Sequence, residues 1–220
     1  MHALNSVGTR NAFVALSLCI LTVSASQSQP LPIERRESLK LRQFLSEHPA
    51  AAKVLTNSIK RVFLNRTVDL FYFYSDDETE PRAFHYYPSA IGTAEVIICV
   101  RENQQPFDEF SSVLFEILNT RNEARFVKLT DDARAGKVSR DEFARGILRS
   151  EFDAVLDTKA SVIALKLDKL ATAGSYFYTR LLNCPSKFDD FLSYSKKVSK
   201  RDVFKEYQEK YDEMRKQSAK

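Results

Sequence analysis

The chain is poor in the residues on which most hydrolytic and metal-binding sites depend. Its 220 residues include no tryptophan, five glycines, three histidines and three cysteines. Five glycines, with no GxSxG sequence and no Gly-rich loop, argue against a nucleophilic serine elbow and against a phosphate-binding loop. Ser111 and Ser112 are adjacent hydroxyls without a histidine nearby in the sequence. Serine-triad chemistry is therefore not expected.

The cysteines form no metal motif. Cys99 and Cys184 are far apart, and neither belongs to a CxxC pair, which excludes a zinc knuckle. Cys99 lies inside the apolar run 96–100, which predicts a buried strand, whereas export would permit a disulfide to Cys184. A Cys99–Cys184 disulfide and two free thiols are both open alternatives.

Long apolar runs are confined to the N-terminus. Arg10 precedes an apolar segment from Ala12 to Val23, and Val23 and Ala25 place small residues just before a cleavage site. This pattern predicts a signal peptide over residues 1–25 and an exported protein, either secreted or periplasmic. An uncleaved N-terminal anchor is the alternative, although the run is shorter than the roughly 20 residues that a membrane span needs. Past Pro30 no apolar stretch approaches that length, so we expect one soluble domain without a membrane span.

Charge is close to balanced over the predicted globular part. The formal net charge is +4, but residues 196–220 alone carry nine Lys or Arg against five Asp or Glu. A local tail of mixed sign is typical of a solvated helix face, so we expect no nucleic-acid partner. We predict three parts: the signal peptide 1–25, a single domain over residues 26–195, and a basic amphipathic C-terminal helix over residues 196–220.

Hydrophobic periodicity and turn residues predict an α+β chain that is mostly helical, with a small antiparallel or mixed sheet. Ser139-Arg140-Asp141-Glu142 is a capping-box pattern, which predicts a helix that begins there and runs to about Leu156 or beyond. In chain order, the other predicted elements are helices at Glu34–Ser46 and Pro49–Phe63, strands at Val68–Tyr74, Arg82–Pro88 and Ala94–Arg101, a helix from Phe107 that carries Glu116, a polar connection at Thr130–Val138, a helix at Tyr176–Leu182, and a last helix from Lys200 with Val203, Phe204, Tyr207, Tyr211 and Met214 on one face.

The stretch from Phe110 to Phe126 holds the pattern of most chemical interest. Its segment Phe115-Glu116-Ile117-Leu118-Asn119 has a glutamate at the second position of an HExxH register, with Phe and Asn where the two histidines would stand. Together with the order of the elements, this segment resembles the zincin-like metallopeptidases over roughly Val68 to Ala160. The resemblance implies that Glu116 matches the general base and that Glu151, on a later helix, matches the third metal ligand.

The donor atoms at these positions disfavour zinc. A catalytic zinc site takes about three protein donors, which are histidine nitrogens, thiolates or carboxylates. Phe115 has no donor atom, and the amide oxygen of Asn119 suits harder cations such as calcium. After the predicted cleavage only His48 and His85 remain, so a histidine-based zinc site would require His85 to reach the cleft from its strand. We expect no resident cofactor, and zinc or another divalent cation stays a disfavoured alternative.

Two arrangements of the helix with Glu116 are compatible with the sequence. Glu116, Asn119 and Glu123 fall at i, i+3 and i+7 on one face, with Asn122 beside them. Either this strip lies in water, or Glu116 and Asn119 face Glu151 across a vestigial cleft. In the cleft, two like charges are brought together, so one pKa should rise or a cation should bind. The candidate cleft residues are Phe115, Asn119, Asn122, Glu123 and Glu151, with Glu116 as a vestigial general base.

These features predict an exported, zincin-like protein that is not a peptidase and that acts in binding or in a structural role, with a protein or peptide as its partner. The alternative is a hydrolase or metallopeptidase with an atypical ligand set around Glu116, Asn119 and Glu151. A third hypothesis is a helical interaction protein whose basic tail docks a partner or a membrane. Deleting Lys196 to Lys220 would then abolish binding and leave the fold intact.

Overall fold

The computed structural model describes residues 33–35, 38–63, 68–74, 82–86, 96–102, 104–171, 181–199 and 202–218. Within these ranges the chain is mostly helical with one small mixed sheet, as the sequence predicts. In chain order, the elements are β1 (Ile33–Arg35), α1 (Leu39–Glu47), α2 (Pro49–Phe63), β2 (Val68–Phe73), β3 (Ala83–Tyr86), β4 (Val96–Arg101), α3 (Pro106–Thr120), α4 (Glu123–Arg134), α5 (Arg140–Ala164), a short 3₁₀ helix (Leu167–Leu170), α6 (Phe188–Ser199) and α7 (Val203–Ser218).

The predicted first helix begins later than expected. Helix α1 begins at Leu39, because the Ser38 side chain caps it by accepting a 3.0 Å hydrogen bond from the backbone N–H of Leu41. Glu34 and Arg35, which the sequence predicted as the first residues of this helix, belong instead to strand β1, which pairs antiparallel with β2. The predicted start of the helix at Glu34 was therefore wrong. Pairing of β1 with the distant strand β2 leaves no signal in the local sequence that could have revealed it.

The sheet has the strand order β1-β2-β4-β3. Strands β2 and β4 are parallel, whereas β3 pairs antiparallel with β4, so the sheet is mixed. All three predicted strands are confirmed within their predicted ranges. Because side chains alternate across a strand, one face of β4 contributes Val96, Ile98 and Val100 to the core that α3 covers, and the other contributes Cys99 to a separate cluster with Phe73 and Phe84. The His85 Cα lies opposite that of Ile98, on the face that α3 covers.

The stretch from Phe110 to Phe126 is not one helix. Helix α3 ends at Thr120, and α4 begins at Glu123 after a turn in which Asn122 donates its backbone N–H to the Asn119 carbonyl over 2.9 Å. Glu123 therefore lies on α4, and the predicted i, i+3, i+7 face of a single helix is wrong. The polar connection predicted at Thr130–Val138 is also shorter, since α4 continues to Arg134 and the chain turns at Gly136, where φ is +70°.

The capping box that the sequence predicts is confirmed. The Ser139 hydroxyl accepts from the Glu142 backbone N–H over 3.2 Å, and the Glu142 carboxylate accepts from the Ser139 N–H over 2.7 Å. These contacts fix the start of α5, which then runs 25 residues to Ala164. Glu151 lies near the middle of this helix.

The C-terminal helix is part of the core. The predicted boundary between residues 195 and 196 falls inside α6, and α7 packs on the same cluster as α4 and α5. Tyr207 and Met214 are 1% and 7% exposed, beside Phe126 and Phe143. The predicted apolar face of α7 is confirmed, and it packs against α4 and α5.

Both cysteines of the described region are free thiols. Cys99 is buried in the sheet cluster with Phe73 and Phe84, whereas Cys184 is buried with Phe152 and Phe191. Of the two alternatives left open by the sequence, the structure therefore has the two free thiols and not the Cys99–Cys184 disulfide. Burial raises the pKa of Cys99 to about 12 and that of Cys184 to about 11, which keeps both protonated and unreactive at neutral pH.

Two predicted segments lie wholly or mostly outside the described residues. The signal peptide over residues 1–25 is one of them, and the helix at Tyr176–Leu182 is the other, apart from its last two residues. Among the helices that the structure describes, none combines the length and the apolar character that crossing a membrane requires.

Candidate functional site

Helix α3 is buried along almost its whole length, including its polar residues. Glu116 and Asn119 are each 5% exposed, and Phe115 is half-buried against the main core. The alternative in which Glu116 and Asn119 lie in water on an amphipathic helix is therefore wrong. A buried carboxylate is costly unless charged or hydrogen-bonding groups surround it, so its neighbours decide what Glu116 can do.

The partner of Glu116 is His85, which is fully buried on β3. The His85 Nδ1 lies 2.6 Å from the Glu116 Oε2. An ionised carboxylate can only accept, so in that state Nδ1 carries a hydrogen and donates it. The sequence left open whether His85 reaches the residues around Glu116 from its strand, and its Nδ1 does lie beside the Glu116 carboxyl group.

His85 was not among the predicted site residues, although a signal for it exists. Ala83 packs into the main core, and the two-residue period of a strand puts His85 on the same face. A histidine at an inward position of an otherwise apolar strand requires a polar partner from the covering helix. Among the polar residues of α3, the sequence alone could not single out Glu116 as that partner.

Glu151 belongs to the same electrostatic group. The Tyr207 hydroxyl on α7 donates a hydrogen bond to its Oε1. The residue as a whole is half-buried, but its carboxyl group is surrounded by protein, and this desolvation is the largest cause that raises the pKa of Glu151 to about 7. The charge of Glu116 raises the pKa further, whereas the Tyr207 hydrogen bond, Lys210 and His85 lower it. The pKa of Glu151 is therefore raised mainly by burial, and the like charge of Glu116, on which the sequence-based prediction rested, is a smaller cause.

The two asparagines join the end of α3 to α5. The Asn122 Nδ2 donates to the Ser150 backbone carbonyl over 2.9 Å and lies 3.4 Å from the Asn119 Oδ1. Ser150 precedes Glu151, so these contacts hold the Asn119 end of α3 next to the turn of α5 that carries Glu151. Glu123, at the first position of α4, is off this face.

The chemistry open to this group is limited by its donors. Within the described part of the chain, no three His, Cys, Asp or Glu side chains are grouped so that they could hold a metal ion. Phe115 stands at a position where a zincin would supply a nitrogen, and it contributes only packing. The arrangement consists of two side-chain pairs, His85–Glu116 between β3 and α3 and Tyr207–Glu151 between α7 and α5, and the charges of Glu116 and His85 act on the pKa of Glu151.

No protein-family model, no curated protein and no solved structure matches the chain. The likeness to zincins therefore stays a prediction from one short motif and the order of elements, and function has to be argued from the site.

The stability of the protein should depend on pH through Glu151. Because its folded pKa, about 7, lies above its ordinary value of 4.5, the folded state binds more protons between these values. The contribution of Glu151 to stability is thus fully present below pH 4.5 and is lost as the pH rises through about 7. The loss amounts to about 3 kcal/mol at most.

Urea denaturation of the wild type and of Glu151→Gln, repeated across this pH range, measures that contribution as a difference curve. The variant should lack the loss of stability toward neutral pH, whereas Glu209→Gln, at an exposed position on α7, should keep the wild-type profile. Parallel profiles for wild type and Glu151→Gln would show that the Glu151 pKa is ordinary.

Proposed function

We propose that the chain is an exported, zincin-like domain without peptidase activity, which acts in binding or in a structural role with a protein or peptide partner. The observation that carries this proposal is the engagement of Glu116. Its carboxylate, in the position of a zincin general base, is buried and lies 2.6 Å from the ring of a fully buried histidine.

A general base must reach the proton that it removes, directly or through one water. In the described structure Glu116 is directed to His85, and the neighbouring Phe115 packs into the core. The group that performed chemistry in an ancestral zincin would then serve here as an interior polar link between the sheet and α3. Such a link holds the two layers in one arrangement, and that arrangement displays the surrounding surface to a partner.

A second candidate function rests on the coupling between Glu116 and Glu151. Two carboxyls in one site with different proton affinities can divide the roles of acid and base. Glu151, with its pKa raised to about 7, would be the acid near neutral pH, and Glu116 would take the role of general base that the resemblance gives it. Asn119 lies on the same helix and would orient a substrate or complete an atypical ligand set. This is the hydrolase alternative.

Metal content and proteolysis distinguish the two proposals. The mature chain, purified without a tag or chelating resin, is analysed by elemental mass spectrometry and incubated with casein in the presence of added divalent cations. We expect no stoichiometric metal and no casein cleavage, and the same result for Glu116→Gln.

Metal bound at one per chain and lost in the Glu116→Gln, Glu151→Gln double variant would overturn the first proposal in favour of the second. Cleavage of casein that disappears in Glu116→Gln but persists in Glu209→Gln would do the same. Glu116→Gln and Glu209→Gln each replace a carboxylate with an amide of equal size. Comparing these two variants therefore isolates the effect of the charge at position 116.

A further inference from the structure

We draw no further inference here: the strongest candidate, the cavity of about 460 Å³ between α1 and the start of α3, has Glu47 and Asp108 against Lys40 among its described lining residues, so nothing in the structure selects the charge or the chemical class of a ligand.

Discussion

Replacing His85 with alanine should destabilise the folded protein by about 3 to 5 kcal/mol, since the buried Glu116 carboxyl group loses its hydrogen-bond partner and is left uncompensated. His85 is fully buried, and its Nδ1 lies 2.6 Å from the Glu116 carboxylate, which is itself 5% exposed. Alanine also leaves a space between β3 and α3 that adds to the cost. Urea denaturation of the wild type and the variant, monitored by circular dichroism, measures the change in unfolding free energy.

A double-mutant cycle separates the energy of the His85–Glu116 interaction from the energy of packing that alanine removes. In His85→Ala, Glu116→Gln, the buried charge is gone, so the double variant should be more stable than the sum of the two single losses predicts. His48→Ala provides a histidine control at a half-buried position on the surface of the domain, where we expect a loss of about 1 kcal/mol or less. Additive single losses would show that His85 and Glu116 do not act as a pair.

The elements that the sequence predicted well are those specified by neighbouring residues. The start of α5 depends on the capping box of Ser139 and Glu142, which are three residues apart. The hydrogen bonds of a capping box are local and need no contact with distant parts of the chain. The apolar stripe of α7 follows from a 3.6-residue period, which is a local property as well. Strands β2 and β4 are recognisable because their β-branched and aromatic residues form short runs bounded by polar segments.

The features that escaped prediction depend on contacts between distant residues. Strand β1 exists because it pairs with β2, and nothing within Ile33–Arg35 distinguishes it from the beginning of a helix. The turn after Thr120 is stabilised by Asn122, whose side chain bonds to the Ser150 carbonyl on α5. Helical propensity continues through this turn, so a tertiary contact overrides it.

The same distinction applies to the site. The HExxH register identified Glu116, and the periodicity of α5 placed Glu151 near the core, so both carboxylates were predicted. Their partners were not. His85 is 31 positions from Glu116, and Tyr207 is 56 positions from Glu151, on a helix that the sequence assigned to a separate tail. The charge pattern of residues 196–220 predicted a solvated helix face, whereas the aromatic face of α7 packs on the cluster around Phe143.

Helix α7 should prove indispensable to the fold. Deleting residues 203–220 removes Tyr207 and Met214 from the cluster around Phe143 and takes away the hydroxyl that donates to Glu151. We expect the truncated chain to lose its near-ultraviolet circular dichroism and its cooperative urea transition. The hypothesis of a docking tail predicts the opposite, namely an intact fold that has lost only its partner.

Point variants at Tyr207 divide this effect into packing and hydrogen bonding. Tyr207→Ala should destabilise the protein by about 3 to 5 kcal/mol, because a fully buried aromatic ring is lost. Tyr207→Phe keeps the ring and removes the hydroxyl, so its cost should be about 1 to 3 kcal/mol. Because the Tyr207 hydrogen bond lowers the pKa of Glu151, the phenylalanine variant should also shift the pH-dependent loss of stability to higher pH. A truncated chain with an unchanged urea midpoint would instead show that α7 is an appendage, and the Tyr207–Glu151 hydrogen bond would then have no part in holding the domain together.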